Sequence, residues 1–155
     1  MAAAQGLTKA QNSLGTMYET GKGVAVDYGE AIKWYRKAAD QGNPAAQANL
    51  GSLYLQEKGI QADDAKAYSL SLQAAKQGEI TAIFNLGQMY EHGFHVSQDR
   101  IKAYAHYKLA SMAGHQKHEM IMESLIGIKT HMSPAEIMAG EQEVKNLMRE
   151  YGIEG

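Results

Sequence analysis

The sequence predicts an all-α protein, an α-solenoid of stacked antiparallel helix pairs, and three observations carry that expectation. A period of 36 residues runs through three copies without insertion or deletion. Each copy holds two apolar stripes at helical spacing, and a glycine follows each stripe. Leu14, Leu50 and Leu86 keep the period, and so do Gly15, Gly51 and Gly87, then Tyr18, Tyr54 and Tyr90. The phase continues through Asp27, Asp63 and Asp99, Ala31, Ala67 and Ala103, Ala38, Ala74 and Ala110, and Gly42, Gly78 and Gly114. Agreement at so many positions in one frame is not chance.

The first copy justifies its elements in order. Ala10, Leu14 and Tyr18 recur every four residues and make the apolar stripe of a helix over residues 8–20. Gly21-Lys22-Gly23 stops it, because glycine takes the positive φ of a helix end at little steric cost, and Val24 can pack back over the turn. Asp27, with Glu30 three residues on, caps a second helix whose apolar face is Ala31, Trp34, Tyr35 and Ala38. Gly42 closes it. The small residues Gly15, Ala31 and Ala38 let the two helices approach, while Leu14, Tyr18 and Trp34 fill the space between them.

Composition narrows the function classes. Lys plus Arg is 15 against 17 for Asp plus Glu, a net charge of −2, so a nucleic-acid partner held by bulk charge is excluded. No run approaches the roughly 18 apolar residues of a membrane-spanning helix. There is no cysteine, which removes disulfides, thiolate metal sites and cysteine nucleophiles together.

The pattern Ala-x-x-x-Leu-Gly-x-x-Tyr-x-x-Gly-x-Gly-Val-x-x-Asp-x-x-x-Ala-x-x-Trp-Tyr-x-x-Ala-Ala-x-x-Gly, from Ala10 through Gly42, resembles the Sel-1-like repeat, a relative of the tetratricopeptide repeat. The resemblance implies a right-handed superhelix and a scaffold in bacterial envelope, signalling or host-contact systems. On the same ground it favours periplasm, envelope or secretion over cytoplasm. Copy two departs at Glu57, Leu70 and Ser71, where copy one has Gly21, Trp34 and Tyr35; copy three departs at His95 and His106, in place of Gly23 and Trp34.

A single repeat domain is expected over 1–155. Residues 2–9 align with the tail of a preceding repeat, so the natural protein is expected to extend upstream of Met1. The copies follow at 10–45, 46–81 and 82–117, and 118–155 form a degenerate capping helix pair. In that last unit Met122 and Ile126 take the Leu14 and Tyr18 places. Ser133-Pro134-Ala135-Glu136 reads as a capping box with proline at the first helical position, and Ile137, Val144, Leu147, Met148 and Tyr151 give the final helix one apolar side.

The likeness to the tetratricopeptide repeat implies that the first helix of each pair lines an inner wall. The candidate partner-binding residues there are Asn12, Thr16 and Glu19 in copy one, Ser52, Leu55 and Gln56 in copy two, and Phe84, Gln88, Glu91 and His92 in copy three. Met120 and Ser124 continue the row. Leu55 and Phe84 are apolar positions off the packing stripe, and either anchor a partner's side chain or pack within the array.

Chemistry is poorly supplied. His92, His95, His106, His115, His118 and His131 lie in the second half, and two pairs are three residues apart. No carboxylate completes a metal-ligand set, so no metal or cofactor is expected. Gly21-Lys22-Gly23-Val24 lacks the strand and the longer glycine frame of a phosphate loop, Asp63-Asp64 reads as a helix start, and no Ser-His-acid spacing suggests a triad. Met17, Met89 and Met122 occupy packing slots. The leading expectation is a noncatalytic adaptor holding a peptide or protein segment in its concave groove. An inhibitor or immunity-type protein wrapping a toxin is a special case. The rival is a histidine-rich metal binder or small enzyme.

Overall fold

A computed structural model describes residues 2–114 and 117–154. Eight helices and no strand occur among the described residues: α1 (Ala2–Thr20), α2 (Tyr28–Asp40), α3 (Pro44–Gln56), α4 (Asp64–Ala75), α5 (Ile80–His92), α6 (Arg100–Ser111), α7 (His118–Lys129) and α8 (Pro134–Glu150). None of these is long and apolar enough to cross a membrane. The chain divides into two compact units, Met1–Ala74 and Ala75–Gly155, with the division at the end of α4.

In the first unit, α1 and α2 are antiparallel. The Asp27 N–H donates to the Tyr18 carbonyl at 2.9 Å, Gln41 bonds Gln11 and Asn43 bonds Thr8, so partners move apart in sequence as the pair runs on. The repeated glycine has a specific job here. A Cβ on Gly15 would stand 2.5 Å from Cδ1 of Tyr35, well inside van der Waals contact, so only glycine lets that ring lie on the α1 backbone. Residues 2–9 continue α1 and make no turn at Gly6. Alanine at positions 2–4 is the best helix former, and one interior glycine costs only about 1 kcal/mol.

The second unit repeats the arrangement 72 residues on. The Asp99 N–H donates to the Tyr90 carbonyl at 2.9 Å, and a Cβ on Gly87 would lie 2.6 Å from Tyr107. All three repeat aspartates cap as their column demands: Asp27 accepts from the Glu30 N–H at 3.1 Å, Asp63 from Lys66 at 3.0 Å and Asp99 from Lys102 at 3.0 Å. The capping box of α8 closes in both directions, Glu136 N–H to Ser133 Oγ and Ser133 N–H to Glu136. These bonds from Ser133, with Arg100 nearby, hold the Glu136 carboxyl below its ordinary range. Helix α8 packs on α6, where Gly140 meets the Tyr104 ring and Val144, Leu147 and Tyr151 are buried.

Two turns break the glycine rule. Glu57 holds φ 53° in the column of Gly21, and His95 holds φ 65° in the column of Gly23, so both side chains sit in the left-handed region that favours glycine. The methionine readings divide: Met89 is fully buried and Met122 half-buried, but Met17 is 37% exposed, because α1 leaves much of that side open to solvent.

His106 is a core residue. It is 1% exposed, its Nδ1–H donates to the Lys102 carbonyl at 2.7 Å, and its Nε2 accepts from the Tyr151 hydroxyl at 2.8 Å. Burial pushes its pKa down to about 4. The imidazole is therefore neutral in the fold while the unfolded chain takes up a proton below about pH 6.5, so acid favours unfolding.

Two outcomes are expected. Denaturant titrations should show stability falling by about 2 kcal/mol between pH 7 and pH 5, with much of that slope absent in His106→Gln. Gly87→Ala should lower stability by about 1–3 kcal/mol through collision with Tyr107, whereas Gly127→Ala, with nothing within 4 Å of the new methyl, should raise it by about 0.5–1 kcal/mol in the same assay.

Candidate protein-binding surface

The first helices of the pairs place the candidate residues in distinct environments. On the first unit, Asn12 is half-buried and its side-chain oxygen accepts from Asn49 at 3.1 Å, joining α1 to α3. Glu19 accepts the Tyr35 hydroxyl proton, and the Thr16 hydroxyl stands 3.2 Å from the same phenolic oxygen. Ser52 is buried, with its Oγ donating to the Ala48 carbonyl at 3.1 Å. Leu55 is half-buried and Gln56 exposed.

On the second unit, Gln88 is half-buried and Glu91 accepts the Tyr107 hydroxyl proton. His92 is exposed, with its Nε2 3.8 Å from Glu91 and its ring against Phe94. Phe84 is 3% exposed and tilts onto Tyr107 with ring centroids 5.4 Å apart.

Phe84 and Ser52 are therefore corrected: neither presents a surface. The reason is the helices that carry them. In α3 every residue from Ala46 to Tyr54 except Asn49 is buried, and in α5 every residue from Thr81 to Gly87 is. A helix buried on most of its circumference has no free side opposite its stripe, so a position off the stripe is not an exposed one.

Sequence reading also missed the phenol–carboxylate lock. Tyr35 with Glu19 and Tyr107 with Glu91 are the same two columns, and the middle copy changes both partners together, to Leu55 and Ser71. Without a tyrosine there is no hydroxyl for a glutamate to accept from, so an apolar side chain is tolerated. Leu55 has a structural reason to be leucine, and the joint change of the two columns was the available signal. Burial first, and then the bond to the glutamate, raises the pKa of both Tyr35 and Tyr107. Tyr104, buried and bonded to Glu141, is pushed up to about 12. Ser71 is fully buried, and its Oγ has no hydrogen-bond partner among the described residues.

The histidines do not assemble. Among the described residues no three His, Asp or Glu side chains are grouped to hold a metal ion, and His115 lies outside the described residues.

Paired helices at a 36-residue period, with a glycine under a tyrosine ring in copies one and three, define a helical-repeat protein. The family model of the Sel1 repeat matches residues 8–43, 44–79 and 80–115, and the chain belongs to that family, whose repeats generally mediate protein–protein interaction and typically form non-enzymatic scaffolds. Two solved structures are similar. One is a protective antigen of uropathogenic Escherichia coli displaying an SLR fold, with 26% identity over 96% of this chain and a TM-score of 0.66. This chain spans 39% of the length of that protein. The other is a Sel1 repeat protein from Oxalobacter formigenes, with 35% identity, 75% of this chain and 87% of that one covered, and a TM-score of 0.58. No curated protein matches the chain.

The lock makes a stability prediction. Glu91→Ala should cost about 1–3 kcal/mol by leaving a buried phenol without its acceptor, while Gln56→Ala should stay within about 0.5 kcal/mol. Installing the lock in the middle copy with Leu55→Glu and Ser71→Tyr together should raise the melting temperature, and Leu55→Glu alone should not.

Proposed function

We propose that the chain is a noncatalytic adaptor that holds a protein or peptide segment along the exposed parts of its first helices. The observation that carries this reading is the run of three consecutive Sel1 repeats over residues 8–115. On the first unit the contact positions are Asn12, Thr16, Glu19, Leu55 and Gln56; on the second they are Gln88, Glu91 and His92. Glu19 and Glu91 each have a second carboxylate oxygen beyond the one that receives a tyrosine proton, so either can serve a partner's donor as well. Gln56 and His92 are the most solvent-accessible of the set and meet a partner first. Bound water and rim contacts give such polar surfaces modest energy each, and specificity comes from their pattern.

A photo-crosslinking side chain placed at residue 56 or 92 should capture the native partner, and one placed at residue 145 on α8 should not. Equal capture from all three positions would remove the first-helix assignment. Gln56→Arg combined with His92→Glu should weaken the captured complex by about 1–3 kcal/mol in a titration, with the melting temperature unchanged.

A further inference from the structure

Two adjoining cavities of about 380 and 470 Å³ open in the first unit, and they share Arg36, Tyr54 and Lys66. Apolar side chains line part of each, Leu50 and Leu70 in one and Ile60 and Ala62 in the other. Their volumes fall in the ordinary range of small-ligand pockets, about 300–1,000 Å³.

The repeat explains why space exists at this place. In the third copy the column tyrosine, Tyr90, is covered by His106, with ring centroids 5.3 Å apart. The middle copy has the smaller Leu70 in the His106 column, and Leu70 lines the first cavity beside Tyr54, which is itself 5% exposed. The lysine of the following helix is common to both copies: Lys66 lies 5.9 Å from the Tyr54 ring and Lys102 lies 5.4 Å from the Tyr90 ring. Arg36 is particular to this place, since the same column holds Leu72 in the next copy.

Three donors therefore converge on one opening. The Arg36 Nη2 donates to the Tyr54 hydroxyl oxygen at 3.4 Å, which leaves the phenolic O–H to donate elsewhere. Neither Arg36 nor Lys66 forms an ion pair among the described residues. Asp63 is engaged as the α4 cap, and Asp40 stands one turn beyond Arg36 at the rim of the first cavity. The two cations and two aspartates of the lining balance in formal charge, so an anion is held by hydrogen bonds from Arg36 and Lys66 and not by net charge.

We propose that this opening is a binding site for a carboxylate joined to a short apolar group. The carboxylate oxygens accept from Arg36, Lys66 and the Tyr54 hydroxyl, and the apolar group lies on Leu50 and Leu70. The same chemistry is offered by a free monocarboxylic acid and by the C-terminal residue of a polypeptide. The site is separate from the first-helix face proposed for protein partners and stands without it.

Titrate the full chain with 4-methylpentanoate, 4-methylpentanamide, and an N-acetylated tetrapeptide ending in leucine as free acid or amide, following backbone amide shifts by NMR. The site predicts that at least one of the two acids binds with shifts centred on Tyr54, Lys66 and Leu70, and that its amide binds about tenfold or more weaker. Arg36→Gln and Lys66→Gln should each reproduce the loss with an unchanged melting temperature, and Leu70→Trp, which restores the ring of the first copy, should fill the opening and abolish binding. Tighter binding by the tetrapeptide acid identifies a chain terminus as the natural form, and tighter binding by 4-methylpentanoate a free acid. Equal binding of acid and amide, shifts elsewhere, no binding by either acid, or full affinity in both charge variants overturns the proposal.

Discussion

The structure depends on a missing methyl group. Where Gly15 and Gly87 stand, a Cβ would occupy the position of a tyrosine ring from the partner helix, so the absence of a side chain sets how closely the two helices approach. The ring then lies against the glycine backbone, and its hydroxyl reaches the end of the first helix, where a glutamate accepts its proton. One small residue thus specifies a large one, and the large one specifies a polar partner about one turn beyond the glycine. Gly140 against Tyr104, with Glu141 as acceptor, rebuilds the same three-part contact between α6 and α8 without following the repeat frame. That recurrence marks it as a physical solution to packing a phenol between helices.

The middle copy departs from this arrangement, and its departures are linked. Losing the tyrosine at Ser71 removes the need for the glutamate at Leu55, and the smaller Leu70 lines the cavity beside Tyr54 where copy three has a histidine ring. Copies one and three keep aromatic rings in those columns, Trp34 and Tyr35 in one and His106 and Tyr107 in the other. Repeat proteins tolerate such variation because each unit rests chiefly on its neighbours, so a unit can give up packing locally and gain a surface for recognition. A buried, unpartnered Ser71 hydroxyl is the residue of that exchange.

Surface polar residues of the first helices also serve the core. Glu19 and Glu91 show this: positions that look like polar surface from sequence serve the core with one oxygen and face solvent with the other. His106 makes the same point for chemistry. It was one of six histidines that could have suggested a metal, and burial with two satisfied ring nitrogens makes it a packing residue instead.

The repeat, the helices, their aspartate and serine caps and the glycine turns were legible in the sequence, because each depends on residues within a few positions or on an unbroken period. The family followed from the same columns. Burial of Phe84 and Ser52, the hydroxyl–carboxylate locks and the opening beside Tyr54 were decided only in three dimensions. Each depends on the whole circumference of a helix or on side chains brought together from different helices, and a single apolar stripe read along the chain records neither.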